Sequence, residues 1–143
     1  MEPKIRNWLG IRVQDTVASS KWYRYLLNCR SALDEGSSDR LRFDQLVDDD
    51  GAVLVCLLRW DAHDDLWDND RDGVGKGVEL YFVVDDFDEV WERAQRLHAE
   101  VVEEQRETTE AFQTREFKVR DPDGYVIGVG DRSKGWLATS GLT

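Results

Sequence analysis

Histidine, cysteine, proline and methionine are all scarce in this chain of 143 residues, which has two His, two Cys, two Pro and one Met. Cys29 and Cys56 are far apart in sequence. This excludes a short-spaced thiol pair for redox chemistry or zinc, and fits reduced thiols in a cytoplasmic protein. His63 falls in a linker and His98 on a predicted helix, and both read as solvated side chains. Basic residues are outnumbered, 19 against 30 acidic, for a net charge of −11. Such a field repels phosphate backbones, so nucleic acid is not an expected partner, whereas a cationic ligand is favoured. No apolar run approaches the thickness of a bilayer, and Met1-Glu2-Pro3-Lys4 has none of the apolar character of a secretory leader. No membrane association is therefore expected. Gly73-Val74-Gly75-Lys76-Gly77 lacks the spacing of a phosphate-binding loop and precedes a strand rather than a helix. The serines fall at caps, turns and the tail with no histidine near them in sequence, which gives nucleophilic catalysis little support.

What is present is an ordinary globular balance, 41% hydrophobic and 34% charged, at a length that suits one domain with a real core. Within it a phrase occurs twice. Asp48-Asp49-Asp50-Gly51-Ala52-Val53-Leu54-Val55 and Asp121-Pro122-Asp123-Gly124-Tyr125-Val126-Ile127-Gly128 both read as an acidic turn, a glycine and an apolar run. Asp-Gly and Pro-Asp-Gly supply the backbone angles of tight hairpin turns. A hairpin repeated at this distance implies two copies of one structural module.

The flanking patterns agree. Residues 5–13 are β-prone, Asp15 is a helix N-cap, and Ala18, Trp22, Tyr23, Leu26 and Leu27 mark a helix over about 16–29. Strands are expected over 41–47 and 52–60, with the hairpin between them. The second half repeats the order: a strand over 78–84, a capping box of Asp86 and Glu89, a helical face of Phe87, Val90, Trp91, Ala94 and Leu97, a short strand at Val101-Val102, and strands over 114–120 and 125–129. Module one thus spans about 5–60 and module two about 78–131. An Asp- and Gly-rich linker over 61–77 joins them, and a tail over 132–143 follows.

A doubled βαβββ module with Arg115-Glu116-Phe117-Lys118-Val119-Arg120-Asp121-Pro122-Asp123-Gly124-Tyr125 in its second copy resembles the vicinal oxygen chelate superfamily, which includes glyoxalase I, extradiol dioxygenases and bleomycin-resistance proteins. The resemblance implies an α+β fold in which two βαβββ modules form a concave mixed sheet around a cavity, with the helices on the outer face. Metal-dependent members place His, Gln or Glu on the first and last strand of each module. Carried over by position, those sites fall on Trp8, Val55, Glu79 and Gly128. Only Glu79 offers a donor, and one carboxylate cannot hold a catalytic ion. No metal and no other cofactor is therefore expected. Residues 68–79 also satisfy the formula of an EF-hand loop, closed by Glu79, but the segment after Val78 reads as a strand where an EF-hand needs a helix. An acidic solvated linker is the simpler expectation.

A cavity without chelating side chains can still bind. Its expected wall is aromatic and includes Trp8, Trp60, Trp67, Tyr81, Phe112 and Phe117, with Val55 and Gly128 at the former ligand positions. Glu79 is the candidate to pair a ligand cation or to act as a general base. Arg115 is a further candidate contact. Trp22 and Trp91 are expected to pack between helix and sheet. Two functions remain open. One is a metal-free homodimer that sequesters a hydrophobic, aromatic or cationic small molecule, as the resemblance to bleomycin-resistance proteins implies. The other is a divergent lyase or isomerase that uses Glu79 as base or has displaced metal ligands.

Overall fold

A computed structural model describes residues 7–60, 75–107 and 115–132. The chain divides into two compact units, Met1–Asn69 and Asp70–Thr143, each of which is a βαβββ module.

In unit 1, β1 (Gly10–Val13) leads to α1 (Thr16–Leu27), then β2 (Arg30–Ser31), a 3-10 turn (Ser38–Leu41), β3 (Phe43–Val47) and β4 (Val53–Arg59). Asp15 caps α1 by accepting a hydrogen bond from the Ala18 amide at 3.0 Å. The helix stops at Asn28, whose positive φ of 53° ends the helical path one residue before Cys29. The expected end at residue 29 is therefore slightly too late. The buried stripe of α1 is Thr16, Ser19, Ser20, Tyr23 and Leu26. It is rotated from the expected one, with Ala18 exposed and Ser19 and Ser20 buried. Strand order is β1-β4-β3-β2, with β1 parallel to β4 and the other pairs antiparallel. Ile11, Val13, Leu46, Val55 and Leu57 form the core of the unit with Tyr23 and Leu26.

Unit 2 repeats the plan with β5 (Glu79–Val84), α2 (Phe87–Arg96), β6 (Glu100–Glu107), β7 (Arg115–Arg120) and β8 (Val126–Asp131), in the order β5-β8-β7-β6. Phe87, Val90 and Ala94 are buried at the expected helical spacing. Trp91 and Phe87 pack their rings on Phe117, with centroids 4.9 and 5.4 Å apart. The expected capping box does not form. Asp86 makes no side-chain cap, and its carboxylate instead accepts from Arg93 at 2.9 Å. An ion pair to the last turn of the helix has outcompeted the local bond. β6 runs for eight residues, well beyond the expected Val101-Val102. It is an edge strand of mostly exposed acidic side chains, so its sequence carries no alternation to read.

The repeated phrase folds twice into the same hydrogen-bonded turn. The Asp48 amide donates to Ala52 O, the Gly51 amide to Asp48 O, and Asp48 Oδ1 accepts from the amides of Asp50 and Ala52. The Asp121 amide donates to Tyr125 O, the Gly124 amide to Asp121 O, and Asp121 Oδ1 accepts from the amides of Asp123 and Tyr125. Gly51 and Gly124 take φ of 83° and 101°, where a side chain would be strained.

The ladders beyond the two turns differ. β7 and β8 pair without interruption from Arg120 opposite Val126 to Glu116 opposite Gly130. In unit 1, Val47 lies opposite Val53 but Leu46 lies opposite Val55, so Leu54 is an extra residue that slips the register by one. Such a bulge moves every later side chain of the strand to the other face.

Candidate functional site

In unit 2 the sheet has one face under α2 and one face away from it. Leu80, Phe117, Val119, Ile127 and Val129 fill the helix face and are essentially inaccessible. Alternation places Glu79, Tyr81, Glu116, Lys118, Gly128 and Gly130 on the other face, where the pairing sets Tyr81 beside Gly128 and Lys118 on its far side. Two register slips in β6 bring Glu103 opposite Lys118 and Arg106 opposite Glu116. Residues three apart in a regular strand would point to opposite faces; here both join the same one.

These side chains form a continuous polar chain. Lys118 Nζ lies 3.1 and 3.2 Å from the two carboxylate oxygens of Glu79 and 4.0 Å from Glu103. Arg106 contacts Glu103 at 3.4 Å and donates to Glu116 at 3.0 Å. Tyr81 donates its hydroxyl to the other Glu116 oxygen at 2.9 Å. Burial, then the bond to Glu116 and the negative field of Glu116 and Glu79, push the Tyr81 hydroxyl well above the usual tyrosine range, against a smaller opposing effect of Arg106. Burial alone would lower the Lys118 pKa. The bond to Glu79 and the charges of Glu79, Glu103 and Glu116 outweigh it and raise the net value.

Gly128 and Gly130 make this packing possible. A Cβ on Gly128 would stand 2.6 Å from Glu79 Oε1 and 2.6 Å from Tyr81 Cδ2, and one on Gly130 would strike the Tyr81 ring and hydroxyl. The tyrosine lies flat across bare backbone. An open cavity of about 550 Å³ borders Glu79, lined also by residues 75–78, Arg120 and Val126.

The expected site residues therefore separate. Glu79, Tyr81 and Gly128 come together on one face. Phe117 lies on the opposite face, fully buried against α2, so it has no surface to offer a ligand in this unit. Arg115 is not a free contact either. Its guanidinium bonds Asp131 at 2.7 and 3.1 Å and Asp88 at 3.2 Å, and sits 4.6 Å over the Phe87 ring, which ties β7, β8 and α2 together. In unit 1, Val55 is fully buried on the face it shares with Leu46 and Leu57. The bulge at Leu54 is the reason. Cys56, opposite Gln45 as Gly128 is opposite Lys118, holds the position assigned by turn alignment to Val55. Trp8 is 59% exposed, with its ring against Gly10. Trp60 is half-buried, its amide bonded to Val13 O. Trp67, Phe112 and residues 68–74 of the acidic loop lie outside the described residues. Glu79, which fits the last position of the EF-hand formula, begins β5 and has both oxygens on Lys118.

Lys118, Glu116, Glu103 and Arg106 were missed by sequence reasoning. The first two were legible as the polar half of the alternation Glu116-Phe117-Lys118-Val119. The β6 pair depends on register slips that no local pattern announces.

This doubled βαβββ architecture, with parallel first and last strands in each unit, defines a class of small two-module proteins. The chain belongs to the Glyoxalase/Bleomycin resistance protein/Dioxygenase superfamily, whose family model matches residues 5–129. No curated protein matches the sequence. Solved structures share its fold. TioX from Micromonospora sp. ML1 is 18% identical over 88% of this chain and 98% of its own, with a TM-score of 0.63. A glyoxylase/bleomycin resistance protein/dioxygenase domain from Frankia sp. EAN1pec is 22% identical over 90% and 98%, with a TM-score of 0.62. The fosfomycin resistance protein FosX from Listeria monocytogenes, complexed with manganese(II) and sulfate, is 14% identical over 97% and 96%, with a TM-score of 0.64.

A metal ion of the kind held by some relatives does not fit the donors of either unit. In unit 2 the last-strand position is Gly128, where even a methyl group collides, and Glu79 is already bridged by an ammonium. In unit 1 the face of Gly10 and Cys56 offers one buried thiol, which burial pushes further from its thiolate. Among the described residues no three His, Cys, Asp or Glu side chains are grouped so that they could hold a metal ion. No helix among them is long and apolar enough to cross a membrane.

Proposed function

We propose that this protein binds a hydrophobic or cationic small molecule without using a metal ion, as a homodimer in the cytoplasm, after the manner of the bleomycin-resistance branch of its superfamily. The observation that carries this reading is the Glu79–Lys118 pair beside the sealed Gly128. Glu79 falls at a ligand position carried over from metal-dependent members, and here it is paired by an internal ammonium while still bordering an open cavity. A net charge of −11 favours a positively charged ligand. Glu79 and Tyr81 are the contacts proposed in unit 2. Trp8 and Trp60 supply aromatic surface in unit 1.

Glu79 at the rim of the cavity also favours a second reading, in which it serves as the base of a lyase or isomerase. That chemistry requires it to leave Lys118. The two readings part in one set of measurements on purified protein: elemental analysis, tryptophan quenching by bleomycin, and turnover of fosfomycin with and without manganese(II). Metal-free protein quenched by bleomycin supports the binder. In it, Glu79→Gln weakens binding by about 1–3 kcal/mol. Stoichiometric metal with turnover of fosfomycin overturns it.

A further inference from the structure

Unit 1 has a cavity of its own, about 680 Å³, on the α1 side of its sheet. One wall is a single helical face, Val17, Ser20, Lys21 and Arg24, at spacings of three and four residues. The opposite wall is the turn over residues 35–41, and Asp44 of β3 closes the floor.

Two residues that line this cavity each carry a buried, unpartnered polar atom: Asp44 Oδ2, an acceptor, and Arg40 Nε, a donor. Asp44 is 0% exposed. Its other oxygen accepts from Ser31 Oγ and from the Gln45 amide at 2.8 Å, so the unused oxygen is not a spare on a mobile side chain. Arg40 is likewise anchored, with Nη2 on Leu33 O at 2.7 Å. Arg24 is oriented by its Nε, which donates to Ser20 Oγ at 3.0 Å and to Ser20 O at 3.3 Å. Buried polar groups left unmade are unfavourable, and native proteins seldom keep a donor and an acceptor idle at one site.

The charges constrain what could satisfy both. A simple anion would meet the carboxylates of Asp44 and Glu35, and a simple cation would meet Lys21, Arg24 and Arg40. A molecule that carries an ammonium and a carboxylate a few bonds apart avoids both conflicts. Val17 and Leu41 add apolar wall for a side chain. We propose that unit 1 binds a small zwitterion, a free α-amino acid with an apolar side chain, its ammonium on Asp44 and its carboxylate between Arg40 and Arg24. This site is separate from the face of unit 2 and does not rest on the function proposed above.

The test is calorimetric titration of the full chain with L-leucine, with acetate and methylamine as the two half-ligands, and amide chemical-shift mapping of the wild type. Saturable binding of L-leucine is expected, with shifts centred on residues 17–24 and 35–44 and no saturable binding of either half-ligand. Arg24→Gln, at a half-buried helix position, is expected to weaken binding by about tenfold, as is Asp44→Asn. Absence of saturable L-leucine binding overturns the proposal. So do acetate binding as tightly as L-leucine, shifts confined to unit 2, or an affinity unchanged by Arg24→Gln. The mapping and the Arg24 variant decide the matter even if Asp44→Asn does not fold.

Discussion

Replacing Lys118 with methionine keeps most of its stem and removes the charge that pairs with Glu79 and Glu103. At 3.1 Å the Lys118–Glu79 attraction is gross about 5 kcal/mol at an effective dielectric of ~20. The side chains are 22% and 37% exposed, so solvent screening and the desolvation already incurred take back most of it. The expected net loss is about 1–3 kcal/mol, and each kcal/mol lowers Tm by roughly 2–4 °C in a domain of this size. The second part of the prediction is sharper. With the ammonium gone, Glu79 and Glu103 keep only Arg106 near them, and the vacated place between the two carboxylates is open to a weakly held divalent ion. If the variant binds manganese(II) with a Kd of ~1 mM, 10 mM of the ion restores about 1.4 kcal/mol. Thermal melts of wild type, Lys118→Met and Lys118→Arg with and without manganese(II) read both effects. The wild type and the arginine variant should not respond to the ion, and the methionine variant should recover. A methionine variant as stable as wild type and indifferent to the ion would refute the view that Lys118 fills a cation position.

Gly128→Ala should lose about 1–3 kcal/mol in urea melts, because its Cβ would displace Tyr81 and Glu79, with 2.6 Å to each. An alanine variant of wild-type stability would show that the tyrosine has room to move. Tyr81 and Lys118 hold their protons above the unfolded values of 10.0 and 10.5, so both contribute stability that is complete below those values and lost as pH rises through their raised folded values. Urea melts should show stability declining from about pH 10 upward, and less steeply in Tyr81→Phe. Parallel declines would exclude Tyr81 as a source. Cys29, pushed up to about 11 by burial despite its backbone hydrogen bond and nearby Arg24, should be nearly inert at neutral pH. At pH 8 its thiolate fraction is about one in a thousand, so alkylation by iodoacetamide should run about a hundredfold slower than for a free thiol.

Much of the fold could be read because local chemistry alone fixes it. Two Asp-Gly turns separated by 73 residues demand positive φ and side-chain-capped amides wherever they occur, and both form the same bonds. Asp15 caps the helix that follows it, and Phe87, Val90 and Ala94 recur at a period that only a helix can bury. Glu79 and Tyr81 were legible as near neighbours because a strand returns to the same face every second residue.

What the chain could not declare in advance depends on register. One extra residue at Leu54 exchanges Val55 for Cys56 on the face away from α1, and the apolar run over Val53–Leu58 has no polar partner to betray the slip. Two slips in β6 gather Glu103 and Arg106 beside Lys118 and Glu116 from a segment that reads as plain acidic surface. Arg115 reads in sequence as either a ligand contact or a solvent-face residue, and its bonds to Asp131 and Asp88 depend on which face the helix covers, which a strand of alternating residues does not say. Sequence by itself determined the turns, the helices and the duplication, which rest on contacts between near neighbours. Only the tertiary structure decided which side chains share a face, because that depends on how strands far apart in the chain align, and a shift of one residue reverses the answer.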